Sequence, residues 1–112
     1  VVEGFTSRLW LLQNGYQNVV AAMGSKLSEQ QKQLIFRARV NVILFLDNDL
    51  AGQDGMKKDG EEMYRKQPGV WIARYPTNRP GCQPDHLRSP SELHEAIAGA
   101  LHYPVFQQGV RT

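Results

Sequence analysis

Three carboxylates stand where chemistry is possible. Glu3 closes the run Val1-Val2, and Asp47 and Asp49, two apart, follow Val42-Ile43-Leu44-Phe45-Leu46. Five consecutive apolar residues mark a strand covered on both faces, as in the middle of a parallel sheet. In an open sheet of that kind, ligands bind beyond the carboxyl ends of the strands. With the two strands as neighbours, three acids meet at one edge. The i, i+2 spacing keeps Asp47 and Asp49 on one side while the chain stays extended. Oxygen donors without His or Cys suit a hard cation, Mg²⁺ or Mn²⁺, better than zinc. Such ions keep waters and complete their shell with substrate phosphates, which implies metal-assisted phosphoryl transfer. An Asp-x-Asp alone is as readily a turn former or a helix cap. Its joint placement with Glu3 at two strand ends is what favours the metal reading.

The elements that must position these acids follow from the hydrophobic pattern. Short apolar runs alternate with helical stretches, the signature of strand-helix-strand units around a parallel sheet. Val1-Val2-Glu3-Gly4 reads as the end of a buried strand and the chain as a segment of a longer polypeptide. A helix is expected from about Thr6 to Asn14, with Leu9 and Leu12 on one face and Gly15 ending it in the left-handed conformation. Asn18 to Ala22 reads as a second short strand. Ser28-Glu29-Gln30-Gln31 is a capping-box pattern opening a helix with Leu34, Ile35 and Ala38 on its apolar face. A third helix is expected from about Ala51 to Lys66, where Gly55 and Gly60 imply close packing. Val70 to Arg74 reads as a fourth strand, and Pro76 to Pro84 as a proline-rich loop. Ser89-Pro90-Ser91-Glu92 opens a last helix buried through Leu93, Ala96, Ile97, Ala100 and Leu101. After Tyr103 the pattern dissolves. The expected domain is 1–102, with 103–112 a tail or linker.

Composition narrows the function classes. The 112 residues suffice for one domain with one core, and 41% hydrophobic with 21% charged residues is ordinary for a folded chain. No apolar run is long enough for a membrane-spanning helix, and no secretory leader is visible. A cytoplasmic location is expected. The single cysteine, Cys82, excludes an internal disulfide and a Cys-rich zinc site. A net charge of +2 is too small to mark a nucleic-acid binder by itself.

The stretches Val1-Val2-Glu3-Gly4-Phe5, Gly15, Val19-Val20-Ala21-Ala22-Met23-Gly24-Ser25 and Leu46-Asp47-Asn48-Asp49-Leu50-Ala51-Gly52-Gln53-Asp54-Gly55 closely resemble the TOPRIM domain of bacterial DnaG-type DNA primases. That domain is shared by primases, topoisomerases and some nucleases. The resemblance runs from Val1 to about Leu101. It implies an α/β, compact Rossmann-like fold with a central, mainly parallel sheet of about four strands flanked by helices. Glu3-Gly4-Phe5 with Met23-Gly24-Ser25 looks most like the primase branch. Gln83-Pro84-Asp85-His86-Leu87 resembles the primase Asp-Pro-Asp-x-Leu segment, in which Asp85 matches and Gln83 replaces a carboxylate with an amide. Ser7 stands where the primase pattern Glu-Gly-Tyr-Met-Asp has its Asp. Both departures remove negative charge, implying fewer or weaker ions, or a divergent primase of a phage or mobile element.

The resemblance implies roles residue by residue. Asp47 and Asp49 would ligate the metals that bridge to a nucleoside triphosphate. Glu3 would be a further ligand or manage the proton during transfer. Asp85 would be an extra ligand, with a loop-turn role as its competitor. Gly4 and Gly24 would let backbone approach phosphate, and Lys26 beside them would contact phosphate or template. Asp54 is read as favouring a helix dipole, and Arg8, Arg74, Arg79 and Arg88 as ordinary surface cations. His94 and His102 are placed on the last helix, Cys82 is inert, and Trp10 and Trp71 are core or interface aromatics. The expected function is nucleotidyl transfer in RNA primer synthesis, dependent on Mg²⁺ or Mn²⁺, with activity absent from the isolated fragment. The implied partners are a single-stranded DNA template, nucleoside triphosphates and a replicative helicase. The rival readings are a TOPRIM nuclease and a non-catalytic nucleic-acid or helicase docking module.

Overall fold

A computed structural model describes residues 1–24, 26–76 and 79–111. Among these residues, three strands form the sheet: β1 (Val42–Leu44), β2 (Val70–Ile72) and β3 (Leu101–His102). β1 and β2 are parallel and in register Val42 with Val70, whereas β3 joins β2 antiparallel. The fold is thus α/β with a small mixed sheet flanked by helices, of three strands rather than about four. The two expected N-terminal strands are reduced to one parallel bridge, Val2 with Ala21. They nonetheless extend the sheet through hydrogen bonds. Val2 N–H donates to Val20 C=O at 3.0 Å, and Phe45 N–H donates to Val1 C=O at 2.7 Å. Residues 1–3 therefore lie between 20–23 and β1, too short a segment to build a ladder on either side.

Among the described residues, five α-helices surround this sheet: α1 (Phe5–Gln13), α2 (Glu29–Ala38), α3 (Leu50–Lys66), α4 (Pro90–Ala98) and α5 (Tyr103–Arg111). The expected local signals operate in most of them. Gly15 takes φ +92° after α1, and Ser28 with Gln31 completes a capping box on α2. Pro90 opens α4, although the Ser89 hydroxyl pairs with Ser91 instead of capping the helix.

Alternation along the strands sorts two cores. Phe45 and Ala73 meet Leu11 of α1 and Leu93 and Ala96 of α4 on one face. Val42, Leu44, Leu46, Val70 and Ile72 meet Met56 and Met63 of α3 and Tyr103 of α5 on the other. Gly60 is needed there, because a Cβ would lie 2.8 Å from the Tyr103 ring.

Several expectations need correction. Leu34 is 64% exposed, while Lys32 on the same helix is buried. The last-helix pattern stops at Ala98, so Leu101 and His102 belong to β3. Beyond them the chain forms α5, where the sequence pattern reads as dissolved.

Candidate metal and phosphate site

β1 continues through the buried Phe45 and Leu46 and delivers Asp47 at its carboxyl end. The neighbouring segment delivers Glu3 to the same edge, and Asp47 N–H donates to Glu3 Oε1 at 3.3 Å. Gly52, in the first turn of α3, makes this approach possible. A Cβ there would sit 2.0 Å from the Asp47 carbonyl oxygen and 2.8 Å from Glu3 Oε1. Asp49 is the N-cap of α3, its Oδ1 accepting from Gly52 N–H at 2.7 Å. It serves as the helix cap that an Asp after a strand commonly provides, with its second oxygen left over. Asp85 lies in a 3₁₀ turn, Pro84–His86. Its Oδ1 accepts from the hydroxyl of the buried Ser7 at 2.8 Å, so the polar residue in place of an expected acid ties this turn to α1.

A cleft of about 310 Å³ opens at this edge, lined by Glu3, Gly4, Phe5, Thr6, Ser7, Met23, Gly24, Asp47 and Gln83. Asp49, Asp85 and Lys26 are not in its lining, and Lys26 is exposed. A Cβ on Gly4 or Gly24 would meet nothing within 4 Å, so both leave open space rather than close packing. Among the described residues, no ion pair involves Glu3, Asp47, Asp49 or Asp85. Burial, and then the charges of Glu3, Asp49 and Asp85, push the Asp47 carboxyl up to about 6. Carboxylate charge is concentrated here, and the mutual repulsion favours the protonated form of Asp47.

Two supports escaped the sequence reading. Asn48, the middle residue of the Asp-x-Asp, donates its side-chain N–H to Arg79 C=O at 2.7 Å, and its backbone N–H donates to Cys82 C=O at 2.7 Å. It thereby straps the proline-rich loop to the site. Tyr75 donates its hydroxyl to Leu46 C=O at 2.8 Å, holding the exit of β1 from below. Burial, with the charge of Asp47 next, keeps that phenol protonated. A polar residue inside an acidic motif and a tyrosine just past a strand are the only signals the sequence offered for them.

Three of the four arginines expected as surface cations have partners for their side chains in the fold. Arg8 Nε donates to Val19 C=O, Arg79 pairs with Glu92 at 3.2 Å, and Arg88 lies over the Trp10 ring. Asp54 pairs with Lys58. His94 meets the Tyr16 hydroxyl, and His102 stacks on Trp71. Cys82 is buried, and burial raises its thiol pKa.

The sequence model of the Toprim-like family matches residues 1–83. The chain belongs to this family. Its matched span includes Glu3, Asp47 and Asp49, and ends before Asp85. The chain is 31% identical over 85 residues to the DNA primase of Staphylococcus aureus (strain MSSA476), covering 76% of this chain and 14% of that protein. It is 29% identical over 85 residues to the DNA primase of Staphylococcus epidermidis, with the same coverage. The Toprim-like chain thus spans about a seventh of the length of these curated relatives.

Among the described residues, no three His, Cys, Asp or Glu side chains gather closely enough to cage an ion unaided. The four acids expected as ligands, Glu3, Asp47, Asp49 and Asp85, do not form such a group. The oxygen donors of Glu3 and Asp47 in the cleft suit a hard cation by their chemistry.

Proposed function

We propose that this chain is the nucleotidyl-transfer domain of a DNA primase, acting on ribonucleotides against a single-stranded DNA template with Mg²⁺ or Mn²⁺. The observation that carries the reading is the cleft floored by Glu3 and Asp47, two carboxylates with no cation paired to them among the described residues. Kinship with primases over 76% of the chain supports it. Glu3 and Asp47 would hold the ion, with Asp49 and Asp85 as outer carboxylates that add negative potential. When bound, the metal supplies charge neutralisation of phosphate oxygens and activation of the attacking hydroxyl.

The chain's own residues do the rest. Glu3 accepts the Asp47 N–H, and its carboxylate is the group in reach of a proton released during transfer. Gly4 and Gly24 leave the walls bare for phosphate, and Lys26 offers a charge beyond the rim. A cytoplasmic location and contact with a replicative helicase belong to the same reading. No helix among the described residues is long and apolar enough to cross a membrane. With a net charge of +2, these 112 residues hold template too weakly to make primers alone, and primer synthesis by them would refute that part.

A Mn²⁺ titration followed by NMR tests the site. Paramagnetic broadening centred on Glu3, Asp47 and Asp49, and weakened in Asp47→Asn, is the expected result. No response at these residues at millimolar metal with nucleotide present would overturn the catalytic reading in favour of a docking module.

A further inference from the structure

The acidic cleft has a second wall of opposite character. Phe5, the first residue of α1, is 56% exposed, and Met23 is 73% exposed, yet both line the cleft that holds Glu3 and Asp47. Isolated exposed apolar residues need no explanation. Two that converge on one polar cleft are a different matter.

Met23 adds a second observation. Its φ is +61°, a left-handed conformation disfavoured for a long side chain. Its N–H donates to Glu3 C=O at 2.7 Å, which fixes that conformation against the acid-bearing segment. Glycine would take this backbone without strain, but the neighbouring Gly24 is not the residue that turns. The fold thus holds a large polarisable thioether at the mouth of the cleft against its local preference. A Cβ on Gly4 or Gly24, which also line the cleft, would meet nothing within 4 Å.

We infer that the Phe5 ring and the Met23 thioether form a stacking platform for the nucleobase of a nucleotide whose phosphates face Glu3 and Asp47. This rests on the nucleotide-handling reading above. An aromatic face binds any base by its π-surface, and a thioether packs well against ring edges. Thr6 and Gln83 put polar groups in the same lining, where a base edge would need them. The base is that of a free nucleotide or of a nucleic-acid strand, since both present the same ring beside a phosphate.

Methyl-labelled methionine gives a direct readout. Of the three methionines, Met56 and Met63 are buried, which leaves Met23 as the exposed reporter. Mg²⁺-ATP and metal-free adenosine are expected to move the Met23 methyl upfield by ring current, whereas Mg²⁺-tripolyphosphate, which has no base, leaves it in place. Phe5→Ser weakens Mg²⁺-ATP binding about tenfold, Phe5→Trp restores it, and tripolyphosphate affinity stays unchanged in both. Met23→Asn, which tolerates the left-handed backbone, weakens ATP binding in the same sense. A short oligothymidylate that shifts Met23 at lower concentration than Mg²⁺-ATP assigns the platform to a strand, and the reverse order assigns it to the free nucleotide. Adenosine moving Met23 while Mg²⁺-tripolyphosphate fails to bind would sink the metal reading and leave the platform standing. Equal affinity for Mg²⁺-ATP and Mg²⁺-tripolyphosphate with an unmoved Met23 would overturn the platform and spare the metal site. No response of Met23 to any base, nucleotide or oligonucleotide also overturns it.

Discussion

Two groups of carboxylates in this molecule have opposite surroundings. Between α2 and α3, the buried Asp59 accepts Leu27 N–H at 2.8 Å and lies 3.2 Å from Lys32 Nζ. Lys32 also reaches Glu62 at 2.6 Å. Burial works against the lysine's charge, but the bonds to Glu62 and Asp59 outweigh it and hold its pKa above the ordinary value. At the carboxyl edge of the sheet, Glu3, Asp49 and Asp85 accept from backbone and hydroxyl donors, and no ion pair reaches them or Asp47 among the described residues. The first group is complete and joins two helices. The second has no ion pair among the described residues, and under the proposed function its partner is a divalent cation. Carboxylates that look alike in sequence therefore differ in how their charge is compensated within the chain.

The comparison is most sharply broken at the lysine. Lys32→Met should cost about 3 kcal/mol of stability in urea unfolding, because Asp59 is left buried with an unpaired charge. An unchanged midpoint would show that the cluster is not structural. Next in size is Gly52→Ala, expected to cost about 2 kcal/mol and to weaken Mn²⁺ binding, since the added methyl collides with the Asp47 carbonyl. A stable variant that binds metal normally would remove Gly52 from the site.

The two groups should also respond oppositely to pH. The Asp47 carboxyl rises from 3.8 to about 6 on folding. Between these values the folded chain keeps a proton that the unfolded chain has released, so this group's contribution falls as pH rises through the window. Asp47→Asn should flatten that fall, and millimolar Mg²⁺ at neutral pH should offset it. Glu62 is lowered from 4.5 by its bond to Lys32. Its contribution is present above 4.5 and is lost as pH drops through the lowered value, a loss that Lys32→Met should abolish. Thermal unfolding across pH 3 to about 7 for the three proteins checks both signs. The smallest effect is at Gly24, where alanine meets only open space. Gly24→Ala should leave stability within about 0.5 kcal/mol, measured in the same urea series.

Legibility varied with the range of the interaction that fixes each feature. α1 to α4 are readable because caps, glycines and prolines act within a few residues, as Ser28 with Gln31 and Pro90 in α4 do. The apolar run at β1 is readable because both its faces are buried. The face of α2 is misread because Leu34 looks buried by periodicity, while Lys32 is drawn inward by acids on α3 thirty residues away. The end of the chain is missed for a similar reason. α5 has Pro104 in its first turn, and its place is set by Tyr103 packing against Gly60 and the second core.

The sequence by itself determined the family, the strand-end acids and the first four helices, because motif spacing and local capping are properties of neighbouring residues. Tertiary structure alone decided which carboxylates are paired. It also decided that Asp49 caps a helix, that Ser7 binds Asp85, and that Phe5 and Met23 share a cleft with Glu3 and Asp47. Charge compensation depends on distances in space, and those are fixed only when segments far apart in the chain are brought together.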